Sequence, residues 1–339
     1  MKKIITGAAL AALFHNILST ETDENGALRL HRFTKEQESV YEAQSNIGTN
    51  GNYGPVALAN SGAVIEFVTD SPFVGLQFTW KDVVGYPYAC FDFYVDGVHY
   101  DSCYIENPRY NIFAFDVPEG KHHVQIFFPW NADVRTESIV LSEGALCEPA
   151  PAKSLRILAI GDSITQGYVG IHPAYSYTNH MGRSLHAEVL NQAVGGYYFE
   201  KSSLDPEVAL WKPDLITLAY GTNDYYHKMT LEGYREGCEG FCEKLHEIFP
   251  ETKVLGIMPI YRNDERFVAR RKLWSYEFTE GLEALRATYA KYPQITVLED
   301  TFFPHHKDYF YEDFLHPNDA GFQIYGEAVT RAICSMNCV

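Results

Sequence analysis

Apolar residues change their spacing halfway along this chain. Between about residue 30 and residue 145 they often recur at every second position in short runs: AVIEFVT (63–69), VGLQFTW (74–80), ACFDFYVDG (89–97), YNIFAFDV (110–117), HHVQIFFP (122–129) and TESIVLS (136–142). Alternation of this kind, rich in β-branched and aromatic residues, buries one face of a strand and wets the other. It predicts an antiparallel, jelly-roll-like β-sandwich over residues 1–146. Asp96-Gly97 suits a hairpin turn because glycine accepts positive φ, and Pro118-Glu119-Gly120 marks another reversal. Residues 147–153, CEPAPAK, carry two prolines and no apolar period, which reads as a linker. From residue 154 to 339 the runs become continuous: LRILAI (155–160), DLITLAY (214–220), KVLGIMPI (253–260) and ITVLED (295–300). They alternate with helical stretches at 231–249 and 273–292, and Phe322, Tyr325, Val329 and Ile333 recur at helical spacing in a last helix. Buried strands alternating with amphipathic helices predict an α/β domain whose parallel sheet is covered on both faces.

Composition narrows the partners. With 339 residues, 46% of them hydrophobic, the chain can bury two cores. A net charge of -17 repels polyanions, and no Lys/Arg-rich run or zinc-knuckle spacing offsets it, so no nucleic-acid partner is expected. Seven cysteines, an odd number in a chain too large to need staples, read as reduced thiols and favour a cytoplasmic protein. Cys238 and Cys242, like Cys334 and Cys338, are four apart and read as buried or surface residues rather than metal ligands. The opening MKKIITGAALAALF lacks a small-x-small cleavage site after it and reads as mature structure; the alternative, a secreted protein, holds if residues 1–19 act as a signal peptide. No run is long enough to span a membrane.

Candidate chemistry lies at the strand ends. The stretch RILAIGDSITQG (156–167) delivers Ser163 at the carboxyl end of the first strand of its domain, the edge at which ligands bind in open α/β sheets. Alone, Asp162 or Ser163 could be no more than a helix cap. Three further stretches reach the same edge: NQAVGG (191–196), YGTND (220–224) and YEDFLHPND (311–319). A serine hydroxyl is a poor nucleophile until a neutral imidazole takes its proton, and His316 is the candidate. Asp313, three residues earlier, can hold the other ring nitrogen and stabilise the imidazolium. The Ser163 and Gly196 amides and the Asn223 side-chain NH₂ are donors of the types an oxyanion needs.

The blocks GDSITQG, NQAVGG, GTND and DFLH resemble, in order, the four sequence blocks of the GDSL/SGNH hydrolases over residues 154–336. The resemblance implies a three-layer α/β/α, flavodoxin-like domain. It implies that Ser163, Gly196, Asn223 and His316 are the signature residues and Asp313 the acid, the motif register selecting Gly196 over Gly195. The two-domain layout is similar to that of carbohydrate esterase family 2 and related acyl esterases and acyltransferases. These readings lead to a serine esterase, needing no cofactor and no metal, that removes a short acyl group from a polar alcohol such as a carbohydrate. Acyl transfer or lipid acyl hydrolysis on the same machinery, and a glycan-binding protein with a spent hydrolase domain, are the alternatives. Among the tyrosines near the motifs, Tyr197 and Tyr225 are expected to touch substrate because they adjoin Gly196 and Asn223, while Asp162 and Asp224 are expected to organise their loops.

Overall fold

Every alternating run of the first half forms a strand in the computed structural model, which describes residues 2–45, 52–106, 112–228, 230–262 and 275–336. Two six-stranded sheets result. One runs in the order Ser19–Thr22, Leu28–His31, Ala132–Ser142, Phe73–Asp82, Ile112–Asp116, with Lys2–Ile5 also paired to Ala132–Ser142. The other runs Glu148–Pro149, Val64–Thr69, His122–Phe127, Ala89–Val95, Val98–Ile105, with Phe14–His15 also on Val64–Thr69. All these pairings are antiparallel. Phe67, Leu76, Phe78, Phe91, Phe93 and Ile126 meet between the sheets. Asp96 and Gly97 both have positive φ (50° and 77°) and join the Val95–Val98 pair, the two-residue hairpin expected of Asp-Gly. The start of the 110–117 run, the start of the 273–292 helix and Cys338 lie outside the described residues.

Three segments depart from the simple pattern. Val98–Ile105 is a largely exposed edge strand, and with little to bury it shows no apolar alternation. Residues 10–16 serve both halves: Leu10, Leu13 and Phe14 lie in the sandwich core, while His15 Nδ1 meets Glu188 at 2.6 Å and Asn16 Oδ1 accepts from Val189 N–H. Residues 35–57 carry helices, Lys35–Gln44 and Tyr53–Ala57, where the strand-like reading from residue 30 expected sheet. Thr34 and Gln37 form a reciprocal capping box that starts the first of these, and Phe33, Tyr41, Tyr53 and Val56 pack on the second domain.

That second domain is a five-stranded parallel sheet in the order Ala187–Ala193, Leu155–Gly161, Leu215–Ala219, Lys253–Ile257, Ile295–Leu298. Successive strand residues face opposite layers. Leu158, Ile160 and Leu218 meet the Leu231–Ile248 and Phe278–Tyr289 helices together with the 33–57 excursion, whereas Ile157, Ala159 and Ile257 meet Tyr177–Ser184 and Asp319–Ser335. In chain order the sheet reads 2-1-3-4-5, so the connections leave in opposite directions between the strands that precede Ser163 and Asn223. Diverging connections there open a crevice at the carboxyl ends of those two strands.

Candidate active site

Ser163 opens the one-turn helix Ser163–Gln166 directly after its strand. Asp162 caps it, its Oδ1 accepting from Ile164 N–H at 3.0 Å, and Gly167 closes it with φ 91°. The turn is possible because residue 161 is glycine: a Cβ there would come within 2.0 Å of Thr165 Oγ1 and 3.0 Å of the Ala219 carbonyl oxygen. On the other side of the crevice residues 311–316 fold back on themselves. Tyr311 N–H donates to the His316 carbonyl at 2.8 Å, and Phe314 sits at φ 54°, a left-handed conformation within the turn that joins Asp313 to His316.

The two loops join 153 residues apart in sequence. Ser163 Oγ lies 2.7 Å from His316 Nε2, and His316 Nδ1 lies 2.6 Å from Asp313 Oδ2. With Nδ1–H donated to the carboxylate, Nε2 offers its lone pair to the serine hydroxyl. Asp313 Oδ1 also accepts from the Leu315 and His316 amides, both at 3.0 Å. Burial pushes the Asp313 carboxyl up, but the imidazole and these two amides outweigh it and hold the group below the usual carboxylate range. Ser163 and His316 are each only 8% exposed, so their hydrogen bond is shielded from competing water while one edge stays reachable.

Ser163, Gly196, Asn223 and His316 line one cleft of about 610 Å³. Gly195 N–H is committed to Gln166 Oε1 at 2.7 Å, whereas the Ser163 and Gly196 amides have no hydrogen-bond partner among the described residues. Gly196 adopts φ 77°, which explains a glycine in that register. Asn223 Nδ2 gives one hydrogen to the Tyr197 carbonyl at 2.9 Å and keeps a second. Two amides and a carboxamide hydrogen therefore border the cleft beside Ser163.

Loop order is maintained by polar residues of the same blocks. Gln166 ties Gly195 to the Trp130 carbonyl of the sandwich, and Asn191 Nδ2 donates to the Thr165 carbonyl at 2.8 Å. Asp224 accepts from Phe199 N–H (2.9 Å) and Gly221 N–H (3.0 Å), joining the glycine loop to the asparagine turn. Burial pushes Asp162 up to about 6 and Asp224 up to about 7, consistent with carboxyls used for scaffolding.

The tyrosines correct the sequence reading. Tyr197 is fully buried, its hydroxyl donating to Gln44 Oε1, and Tyr225 packs against Tyr276 and Phe278; neither lines the cleft. Tyr197 follows Gly196 and Tyr225 lies two residues after Asn223, yet both side chains turn into the core. The ring that does reach the cleft is Tyr168, 4.6 Å from His316 between centroids. The sandwich half also contributes a wall through Asn52, Val56, Lys81 and Val84, which no local motif announces.

A second cluster lies between the domains. Cys90, Asp92 and His172 bring one donor atom each to within 4.8 Å of one another. Asp92 is already occupied: Oδ1 accepts from Ser102 Oγ (2.7 Å) and meets His172 Nδ1 (2.8 Å), and Oδ2 accepts from Ala174 N–H (2.9 Å). These bonds tie the sandwich to the loop after Ser163–Gln166.

Residues 159–324 match the model of the GDSL-like Lipase/Acylhydrolase family. No curated protein matches the chain. Among solved structures, the salicylyl-acyltransferase SsfX3 from a tetracycline biosynthetic pathway is similar at a TM-score of 0.79 and 18% identity, covering 99% of this chain and 97% of that one. A family two carbohydrate esterase from Cellvibrio japonicus gives 0.64 and 16%, covering 99% and 98%. The acetyl xylan esterase Est2A from the rumen bacterium Butyrivibrio proteoclasticus gives 0.61 and 12%, covering 99% and 98%. At these identities the likeness is one of fold, and it extends over both domains. Taken with the ordered blocks around Ser163 and His316, residues 159–324 form a serine ester hydrolase domain of the GDSL-like lipase/acylhydrolase family.

Proposed function

We propose that the protein hydrolyses a short-chain O-acyl ester, an O-acetyl group on a carbohydrate or similar polar alcohol, through an acyl-enzyme on Ser163. The observation that carries the reading is the unbroken relay from Ser163 Oγ through His316 to Asp313, at 2.7 and 2.6 Å. Ser163 Oγ attacks the ester carbonyl carbon as its proton passes to His316 Nε2, and Asp313 stabilises the imidazolium. The carbonyl oxygen, now negative, is met by the Ser163 and Gly196 amides and the Asn223 carboxamide. Collapse breaks the ester C–O bond, and His316 returns the proton to the departing alcohol. Water then repeats the sequence on the acyl-serine, releasing the acid and restoring the hydroxyl.

The carbohydrate part of the reading is supported by the mixed character of the cleft, which sets Tyr168 and Val84 beside Asn52, Lys81 and Asn223. Two of the similar structures are a family two carbohydrate esterase and an acetyl xylan esterase. Replacing Ser163 by Ala is the test. Hydrolysis of p-nitrophenyl acetate falls by on the order of 10⁴-fold or more while the circular dichroism spectrum is unchanged. Undiminished turnover removes the proposal. Adding an alcohol acceptor and following product partitioning distinguishes hydrolysis from acyl transfer, since both draw on the same acyl-enzyme.

A further inference from the structure

The donor that Gly196 supplies depends on which way one peptide faces. Tyr197 N–H donates to the Val194 carbonyl at 3.1 Å, closing a turn over residues 194–197. Gly196, third in that turn, has φ 77°, whereas Gly195, second, does not have positive φ. This is the backbone of a type II turn. A type I turn of the same four residues differs by reversal of the central peptide, the one that joins Gly195 to Gly196. Reversal would present the Gly195 carbonyl where the Gly196 N–H now borders the cleft, an acceptor where an oxyanion needs a donor. Two adjacent glycines hinder neither form, so the orientation has to be held from outside the turn.

Side chains grip the turn on both sides of that peptide. Before it, Gln166 Oε1 accepts from Gly195 N–H at 2.7 Å. After it, the Gly196 carbonyl lies 3.3 Å from His227 Nε2 and accepts from the Tyr53 hydroxyl at 3.4 Å. The next carbonyl, that of Tyr197, takes one carboxamide hydrogen of Asn223. Asn223 and His227 are four residues apart in the helix Thr222–His227 and therefore share one face of it. A single helical turn thus offers Asn223 to the oxyanion and holds two consecutive carbonyls of the glycine loop.

A carbonyl only accepts, so the ring proton of His227 sits on Nε2. Burial outweighs the pull of the Gly196 carbonyl and keeps the imidazole below its usual 6.5, which leaves it neutral with that one proton at neutral pH. The Tyr198 ring lies against it at 4.4 Å between centroids. Packing accounts for a ring at this position but not for a nitrogen aimed at the carbonyl, and His227 itself does not line the cleft. Resting on the esterase reading above, we propose that His227 is a positioning residue. Its Nε2–H, held on the Gly196 carbonyl, keeps the turn in the form that points Gly196 N–H at the oxyanion.

The test compares His227→Phe, which keeps a ring and loses the donor, with His227→Gln, whose carboxamide nitrogen takes the place of Nε2. On p-nitrophenyl acetate His227→Phe is expected to lose about tenfold in kcat at unchanged KM, a part of the loss on the order of 10² to 10³ that a missing oxyanion donor brings. His227→Gln is expected to recover most of it. Inhibition by 1,1,1-trifluoroacetone adds a readout that packing would not move. Ser163 Oγ bonds to the ketone carbon, the serine proton passes to His316, and the ketone oxygen becomes the oxyanion. The inhibition constant is expected to rise about tenfold in His227→Phe, in step with kcat. An equal loss in both variants, a loss carried by KM, or unaltered inhibition overturns the assignment. Should His227→Phe fail to fold, His227→Asn, too short to reach the carbonyl, takes its place against His227→Gln. A crystal structure of the donor-less variant reads the peptide without turnover: reversal, or division between two orientations, supports the role, and a peptide ordered as in the wild type overturns it. Ser163→Ala, assayed alongside, separates the two readings. Hydrolysis that survives it removes the esterase reading and leaves the crystallographic result to decide on His227, whereas Ser163-dependent hydrolysis undiminished in His227→Phe removes the role of His227 alone.

Discussion

On the proposed mechanism Asn223 and Asp313 act on charge at different moments, and their variants should differ accordingly. Asn223→Ala removes a donor aimed at the cleft and should lower kcat by on the order of 10² to 10³, with KM for p-nitrophenyl acetate little changed. Asp313→Asn keeps the shape but no longer fixes the His316 tautomer, and steady-state kinetics should show a loss on the order of 10⁴. A fall of less than tenfold would mean that the acid is dispensable here. The local spacing of Asp313 and His316, and the position of Ser163 and Asn223 at strand ends, were legible in the sequence because a short turn or a strand terminus fixes them. Tyr197 and Tyr225 were not. Their adjacency to cleft residues says nothing of side-chain direction at a turn, and both rings face inward. Tyr168 finds its place only because the chain after Gly167 swings beneath His316, which depends on contacts from elsewhere.

At the scale of elements, the excursion over residues 32–57 joins the two halves. Arg32, 1% exposed, donates to the carbonyls of Ala57, Ala59, Asn191 and Ala193, so one guanidinium stitches the excursion to the strand that leads into Gly195 and Gly196. Burial pushes it down to about 9, still charged at neutral pH. Arg32→Met should cost on the order of 3–5 kcal/mol in urea unfolding, because four buried carbonyls lose their donor together. A loss under 1 kcal/mol would contradict that role. The Thr34–Gln37 capping box is a helix-start signal that the strand-like reading of this region passed over. Its destination was not legible, since an amphipathic helix fits any apolar surface and only the assembled fold selects one. The exposed strand Val98–Ile105 escaped the pattern for the opposite reason: it buries too little to leave a period.

For the molecule as a whole, the tie between Asp92 and His172 is a pH-sensitive junction between the domains. The hydrogen bond that His172 donates to Asp92 raises the imidazole above its usual 6.5, against the opposing effect of burial. A histidine raised in the folded state contributes stability that is fully present below the unfolded value of about 6.5 and is lost as pH rises through the folded one. The difference in melting temperature between wild type and His172→Asn should therefore be largest below pH 6 and shrink on going alkaline; a difference that grows with pH would refute the tie. The two-domain architecture was visible in the change of apolar period near residue 150, but the sandwich's share of the cleft wall was not, because it arises from how the domains meet. The proposed function rests on one claim, that Ser163 Oγ is the atom acylated. Treating the intact protein with a fluorophosphonate and mapping the adduct by peptide mass spectrometry tests it most directly. The account predicts a single modification on Ser163, abolished in Ser163→Ala and strongly slowed in His316→Ala, with activity lost in proportion to labelling. Full labelling elsewhere, or esterase activity that survives complete modification of Ser163, would contradict it.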